Sequence, residues 1–349
     1  MKGFRFAEPR IFISGFTENG FWTKFLQWIR TFYRNLSGRV LNNGFTTDIF
    51  FVKRGVRQGD PLSPLLFILA LETLVCQIRE NKNIKGLLIN GKEIKTTLFA
   101  DDMTCFLRYT NSYFQLLTSL QNFARYSGLR VNDEKTGIFA IGQHSLVQDV
   151  FTHKIRSMIK ILGVYFNYNT PARLKANCVS IFKSIQGTLN SWKGRGLTLI
   201  GKIQILKSFI IPQFLSKATL ISEPEDHVKE INKLIYHFIW KGNDEIKRSA
   251  LINDINDGSL KMLYIHSMIC AQRVKVFKKY ADEENHSSWK ITLDYFLSGV
   301  GGKFILLCNF DTKKLPIYLP PFYKEFLDAR SRLNKENILS YEDVASQVN

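Results

Sequence analysis

The sequence predicts an α+β fold in two successive parts, with strands and helices mixed to about residue 168 and helices thereafter. Three observations predict it. Short apolar and β-branched runs, separated by turn residues, fill 39–55 and 86–107. Beyond Thr170 the apolar residues recur at three and four positions, the period of a helix with one buried face. Between the two parts lies Asn167-Tyr168-Asn169-Thr170-Pro171, a polar break ending in proline.

Each element has a local cause. Residues 20–36 place Phe21, Phe25, Trp28, Ile29 and Phe32 at helical spacing. The run from Arg39 to Gly55 reads as two strands around Asn42-Asn43-Gly44, a composition that supplies positive φ. Asp60-Pro61-Leu62-Ser63-Pro64 opens a helix to about Glu80; Asp60 or Ser63 can cap it, and proline is tolerated in a first turn. Gly86 to Asn90, then Lys95 to Leu107, read as short strands, the latter folding about Ala100-Asp101-Asp102. A helix from about Asn111 to Tyr126 is stopped by Gly128. Strands recur at Gly137 to Ile141 and Ile161 to Phe166. Helices follow at 171–191, 198–211, 225–240 and 259–280. In the second of these, Ile200, Ile203, Leu206 and Ile210 form the buried face by spacing. Residues 281–349 have weak periodicity and read as an irregular extension.

Composition narrows the partners. Lys and Arg number 48 against 30 Asp and Glu, a net charge of +18. A basic surface of this size attracts polyanions, and nucleic acid is the leading class. Five scattered cysteines form no C-x-x-C pair, which argues against a disulfide scaffold or zinc knuckle and suits a reducing intracellular compartment. The most apolar stretch, Pro61 to Cys76, is interrupted by Glu72 and is shorter than the ~20 residues of a bilayer span. No signal-peptide pattern opens the chain, so no membrane partner is expected.

Two segments carry chemistry. Phe99-Ala100-Asp101-Asp102 puts adjacent carboxylates between apolar flanks. They repel each other unless a hard cation such as Mg²⁺ bridges the charge; taken alone, the pair equally suits an exposed acidic turn. Arg54-Gly55-Val56-Arg57-Gln58-Gly59-Asp60-Pro61-Leu62-Ser63-Pro64 joins two flexible glycines, two donors and a helix start that can receive an anion. Alone, it is also an ordinary capped loop.

In order, these segments resemble two core motifs of LINE-type (non-LTR) reverse transcriptases. Ser127 to Thr136 (SGLRVNDEKT) is similar to that family's next palm motif. Leu162-Gly163-Val164 resembles its primer-grip strand, and Trp192 to Lys202 (WKGRGLTLIGK) the start of its thumb. Phe238-Ile239-Trp240 and Gly258 to Met262 match the pattern beyond the thumb. The resemblance spans about residues 20–280.

The resemblance implies a right-hand polymerase palm, an antiparallel sheet with helices and partial fingers, followed by an α-helical thumb and a C-terminal extension. Its divisions fall at 1–19, an atypical N-terminus in place of the first palm motif; 20–168, partial fingers and palm; 169–240, thumb; and 241–349, the post-thumb region. It implies an RNA-directed DNA polymerase with an RNA template, a DNA primer and dNTP. Two Mg²⁺ ions, or Mn²⁺ as a substitute, would be held with Asp101 as ligand and Asp102 as its less directly bound partner. Lys135 would meet the triphosphate as charge stabiliser or proton donor. Gln58 and Gly59 would lie against nucleotide and template, and Arg57 against template or phosphate. Asp60 is expected to cap its helix rather than touch metal. Leu162 and Gly163 would form the primer grip, and Lys193, Arg195, Lys202 and Lys207 would face the duplex backbone. The family's habit of priming on chromosomal DNA implies a nuclear site.

One part of the pattern is not found. In the family a third catalytic aspartate, in a D-x-x-K-A-F-D-like segment, lies upstream of the helix matching Phe21 to Phe32. Met1 to Gly15 stands there and contains no aspartate, only Glu8 before Pro9. The expectation is an N-terminally truncated copy, inactive or nearly so in isolation, since one aspartate pair does not readily fix two divalent ions. The alternative is a non-catalytic nucleic-acid-binding relic.

Overall fold

The computed structural model describes residues 23–52, 56, 59–142, 151–222, 224–242, 245–282, 284–300, 302, 314 and 318–335. They fall into two compact units, one built from residues up to Ile138 together with Phe151–Lys154, the other from the rest.

In the first unit, helix α1 (Thr23–Phe32) buries Leu26 and Ile29, while Trp28 and Phe32 face solvent. The two strands expected over Arg39 to Gly55 are four short ones. Strands β1 (Ser37–Gly38) and β4 (Phe50–Phe51) pair outside β2 (Leu41–Asn42) and β3 (Phe45–Thr46), all antiparallel. Asn43 (φ 48°) and Gly44 (φ 84°) make the inner turn, the left-handed pair that a tight hairpin needs. Helix α2 (Ser63–Glu80) starts with Pro64 in its first turn. Neither expected cap operates: Leu62 occupies the cap position, and Asp60 accepts the Leu62 N–H (3.0 Å) just ahead of the helix.

Strands β5 (Leu87–Ile89) and β6 (Lys92–Ile94) form one hairpin, and β7 (Thr96–Phe99) and β8 (Asp102–Cys105) another. Helix α3 (Thr110–Ser127) ends at Gly128, left-handed at φ 71°. Leu74, Ile78, Ile84, Leu116, Phe123 and Leu129 form the core between α2 and α3, with Met103, Cys105 and Leu107 packed on it from the β7–β8 hairpin. Each such buried side chain contributes about 1.5–3 kcal/mol. Of the strand expected over Gly137 to Ile141, only β9 (Gly137–Ile138) is formed. Strand β10 (Lys154–Ile155) follows residues 151–153.

The second unit opens with the hairpin β11 (Met158–Ile161) and β12 (Val164–Asn167). Helix α4 (Thr170–Lys193) is capped by Asn169, which accepts the Ala172 N–H at 2.9 Å. Buried Asn177 ties the hairpin to this helix: its side chain both accepts from the Tyr165 N–H and donates to the Tyr165 carbonyl, each at 2.9 Å. Helix α5 (Leu199–Ile205), a π-helical turn (Leu206–Ile210) and helix α6 (Ile211–Ala218) run on continuously. Pro212 has no N–H to offer the preceding turn, and the Ile211 N–H reaches back to the Leu206 carbonyl instead. Helix α7 (Glu225–Trp240) begins with two acids, which favour its positive end. Ile181, Ile185, Leu206, Phe214, Ile231 and Ile239 are central in this unit's largest core.

Two expectations fail beyond Trp240. Helix α9 (Ile265–Ala281) follows the short α8 (Arg248–Ile252) and starts later than residue 259, because Lys261 is left-handed at φ 49° and the Lys261 and Met262 N–H groups donate to the carbonyls of Asn253 and Leu251 instead. The region read as irregular contains α10 (Trp289–Ser298) and α11 (Pro321–Lys335). They bury Leu293, Leu297, Phe326 and Leu327 against Phe277 and Tyr280 of α9. The Tyr280 hydroxyl donates to Asp294 at 2.5 Å, and burial, then that carboxylate, push it above the usual phenol range. Arg273, 1% exposed, donates to Glu325 of α11 and to the Ala218 and Ile221 carbonyls, with its guanidinium over Phe322. The architecture is α+β, with the described strands in two-stranded ladders rather than one continuous sheet.

Candidate active site

The β7–β8 hairpin pairs Phe99 with Asp102, so Ala100 and Asp101 are its two turn residues. Ala100 is left-handed at φ 52°, a conformation costly for a residue with a Cβ. Both carboxylates are exposed at the tip, and among the described residues neither has a hydrogen-bond or ion-pair partner. At the base of the hairpin, burial pushes the Cys105 thiol up to about 12. There too, the Phe106 N–H donates to the Lys95 carbonyl at 2.8 Å. The Lys95 ammonium is buried against the C-terminal carbonyls of α2. Strand, helix end and core thus fix the hairpin root and leave the acids free in solvent.

The glycine-rich loop is rooted in the same core. Val56 packs against the cluster that also receives Met103 and Cys105. Gly59 is at φ 93°, a value that requires glycine, and opens into free space. Asp60 is engaged by the Leu62 N–H and the Tyr33 hydroxyl (3.3 Å), a local structural role. Gly55, Arg57 and Gln58 lie outside the described residues. Lys135 is exposed on a turn whose amides return to Asn132. The sequence motifs pointed to Lys135 but not to His153, which bonds this turn; an isolated histidine carries no pattern.

In the second unit, Leu162 (φ 47°) and Gly163 (φ 86°) are the turn of the β11–β12 hairpin. Gly163 is therefore neither strand nor bulge, and its glycine is required by the turn itself. Lys193 and Arg195 are exposed, and Arg195 stacks over Trp192 at 4.4 Å. The stripe expected on the helix over 198–211 needs two corrections. Ile200, in the first turn of its helix, is 69% exposed, whereas Ile203, Leu206 and Ile210 are buried as expected and the buried face runs on through the π turn to Ile211 and Phe214. Lys202 and Lys207 do not stand clear of the core: both are half-buried, donating to the carbonyls of Ile239 and Leu260.

The family described as reverse transcriptase (RNA-dependent DNA polymerase) matches residues 9–166. Over 298 residues the chain is 22% identical to the transposon TX1 149 kDa protein of Xenopus laevis, covering 82% of this chain and 22% of that protein. It is 28% identical over 198 residues to the Pol polyprotein of the type-1 retrotransposable element R2 of Nasonia vitripennis, covering 52% of this chain and 18% of that protein. Against the R2DM Pol polyprotein of Drosophila melanogaster the identity is 25% over 231 residues, covering 62% of this chain and 21% of that protein. The chain carries a reverse transcriptase domain of the non-LTR, LINE-type family.

The chain spans about a fifth of the length of those relatives. The matched region takes in the glycine loop, the acidic hairpin, the Lys135 turn and the Leu162-Gly163 turn. Asp101 and Asp102 offer adjacent, solvated hard oxygen ligands, which fits a divalent cation such as Mg²⁺. Among the described residues no group of three His, Cys, Asp or Glu side chains is placed to hold a metal ion. No described helix is long and apolar enough to cross a membrane.

Proposed function

We propose that the chain is the part of an RNA-directed DNA polymerase that adds dNTP to a primer 3′-hydroxyl on an RNA template. The observation that carries this is the Asp101–Asp102 pair, exposed and without a partner among the described residues, at a hairpin tip whose base shares a core with Val56 of the glycine-rich loop. Asp101 and Asp102 would hold Mg²⁺, or Mn²⁺ in its place, which when bound supplies charge neutralisation for an in-line displacement at the α-phosphorus. Gly59 presents open backbone to nucleotide and template, with Arg57 and Gln58 beside it in sequence. Lys135 meets the triphosphate and stabilises charge on the leaving pyrophosphate or protonates it. Leu162 and Gly163 turn beneath the primer. Lys193 and Arg195 contact the duplex backbone without reading its sequence; Lys202 and Lys207 join them only by leaving their carbonyl partners.

The 349-residue chain by itself holds one aspartate pair, and extension by it is at or near background. Primer extension on an RNA template with Mg²⁺ and Mn²⁺, beside salt-dependent duplex binding, tests both parts. Binding that weakens with salt and background extension are expected. Clear templated synthesis lost in Asp101→Ala would overturn the expected lack of extension while supporting the polymerase reading. Absence of duplex binding at low salt would overturn the polymerase reading.

A further inference from the structure

We infer that His153 is a positioning residue for Lys135, acting through Asp133. The imidazole is buried, 5% exposed. Its Nδ1 lies 2.9 Å from the Tyr113 hydroxyl and its Nε2 lies 3.1 Å from Asp133 Oδ1. The His153 backbone N–H also donates to the Tyr113 oxygen at 3.3 Å. That oxygen therefore has its own hydrogen free for Nδ1. The network assigns the tautomer: Nδ1 accepts from Tyr113, and the Nε2–H donates to the Asp133 carboxylate.

Tyr113 is a firm post. It is 6% exposed in α3 and meets Phe151 edge-on at 5.0 Å. Asp133, in contrast, belongs to a solvated turn and is 78% exposed. Its neighbour Asn132 accepts the Lys135 N–H on Oδ1 at 3.1 Å and the Thr136 N–H on its carbonyl at 2.9 Å. The turn is closed on itself by Asn132 and pinned to the helix by His153. Lys135 follows the pinned residue by two positions, so the pin sets where its ammonium can reach.

This assignment rests on the reading of Lys135 as the residue that meets the triphosphate, and adds the group that holds it there. The test uses the 349-residue chain, amide hydrogen exchange, and titration with dTTP and Mg²⁺. Asp133 is the residue to change, because its exposure spares the fold. Asp133→Ala should speed exchange at Lys135 and Thr136 about tenfold, the scale of one lost hydrogen bond, with α3 amides unchanged. It should weaken dTTP by about three- to tenfold and add nothing in a Lys135→Ala background. Asp133→Asn, which keeps an acceptor oxygen, should restore most of both. Unchanged exchange in Asp133→Ala overturns the pin whatever Lys135 does. Additive losses in the double variant overturn the coupling. No dTTP binding, or no effect of Lys135→Ala on it, overturns the assigned role of Lys135 and with it the functional half of the inference; the exchange result still decides the pin.

Discussion

The Lys95 ammonium lies 2.7 Å from the carbonyl oxygen of Arg79, at the last turn of the helix that follows the glycine-rich loop. A second bond, at 2.8 Å, reaches the Asn81 carbonyl. A buried cation at a helix C-terminus meets both its orphan carbonyls and its dipole. Lys95→Met keeps the stem and removes the charge. It should cost about 2–3 kcal/mol, read as a lower urea midpoint at unchanged slope. A midpoint equal to wild type would show that the ammonium is not holding the hairpin to the helix.

Ala100 carries strain at the turn next to the aspartate pair. Glycine has no Cβ to clash at φ 52°, although it gives the unfolded chain more freedom. Ala100→Gly should raise stability by about 0.5–1 kcal/mol net, seen as a higher melting temperature. A lower melting temperature would contradict the strained turn.

Asp101→Asn removes a charge from a solvated tip, so the fold should be kept. Mn²⁺ binding, followed by its paramagnetic signal, should weaken by about tenfold or more, with Asp102→Asn giving the smaller loss. Equal, negligible effects of both would dismiss the pair as ion ligands.

Cys105 makes stability pH-dependent in the alkaline range. Its thiol titrates at about 12 in the folded chain, raised by burial from an ordinary value of 9.0. The folded state therefore keeps a proton that the unfolded state gives up between those values. Stability should be unaffected by this thiol below pH 9.0 and fall as pH rises from there toward about 12. Denaturant midpoints of wild type and Cys105→Ala, compared across that range, should show the steeper alkaline decline only in wild type.

Glu325 neutralises a guanidinium with nearly no access to water. Glu325→Ala should cost about 3–5 kcal/mol by leaving Arg273 without its counter-charge, more than Arg273→Met, which removes the cation as well. The two ranked by denaturation in the opposite order would mean that the carbonyls and Phe322 suffice for Arg273.

Much of the local architecture was legible from residue chemistry. Asn43-Gly44, Gly128 and Pro64 each ask for one backbone conformation, and each has it. The acidic hairpin was readable because Phe99 and Met103 bracket a polar tip. What was missed involves partners distant in sequence. Lys202 looks like a solvated lysine until Ile239 brings a helix end beside it. Ile200 fits a helical stripe by spacing, yet it stands in the first turn of its helix, where nothing in the local pattern tells that its face is left uncovered. Helix α11 is weakly apolar overall, and its docking depends on Arg273 and the α9 aromatics, which no local window contains. His153 was unreadable for the same reason: its meaning comes from Tyr113 and Asp133 together.

The wide turn at Leu206–Ile210 has an evolutionary implication for this chain. An α-helical segment advances about 100° per residue, so one surplus residue lets the segments before and after it choose their orientations independently. Upstream positions such as Ile200 can drift toward whatever they touch without disturbing the interior contacts of Ile211 and Phe214. Loss of a single residue within the turn would couple the two again, rolling one apolar surface outward by roughly a quarter of a revolution. Length changes there should be far less tolerated than substitutions at Ile200.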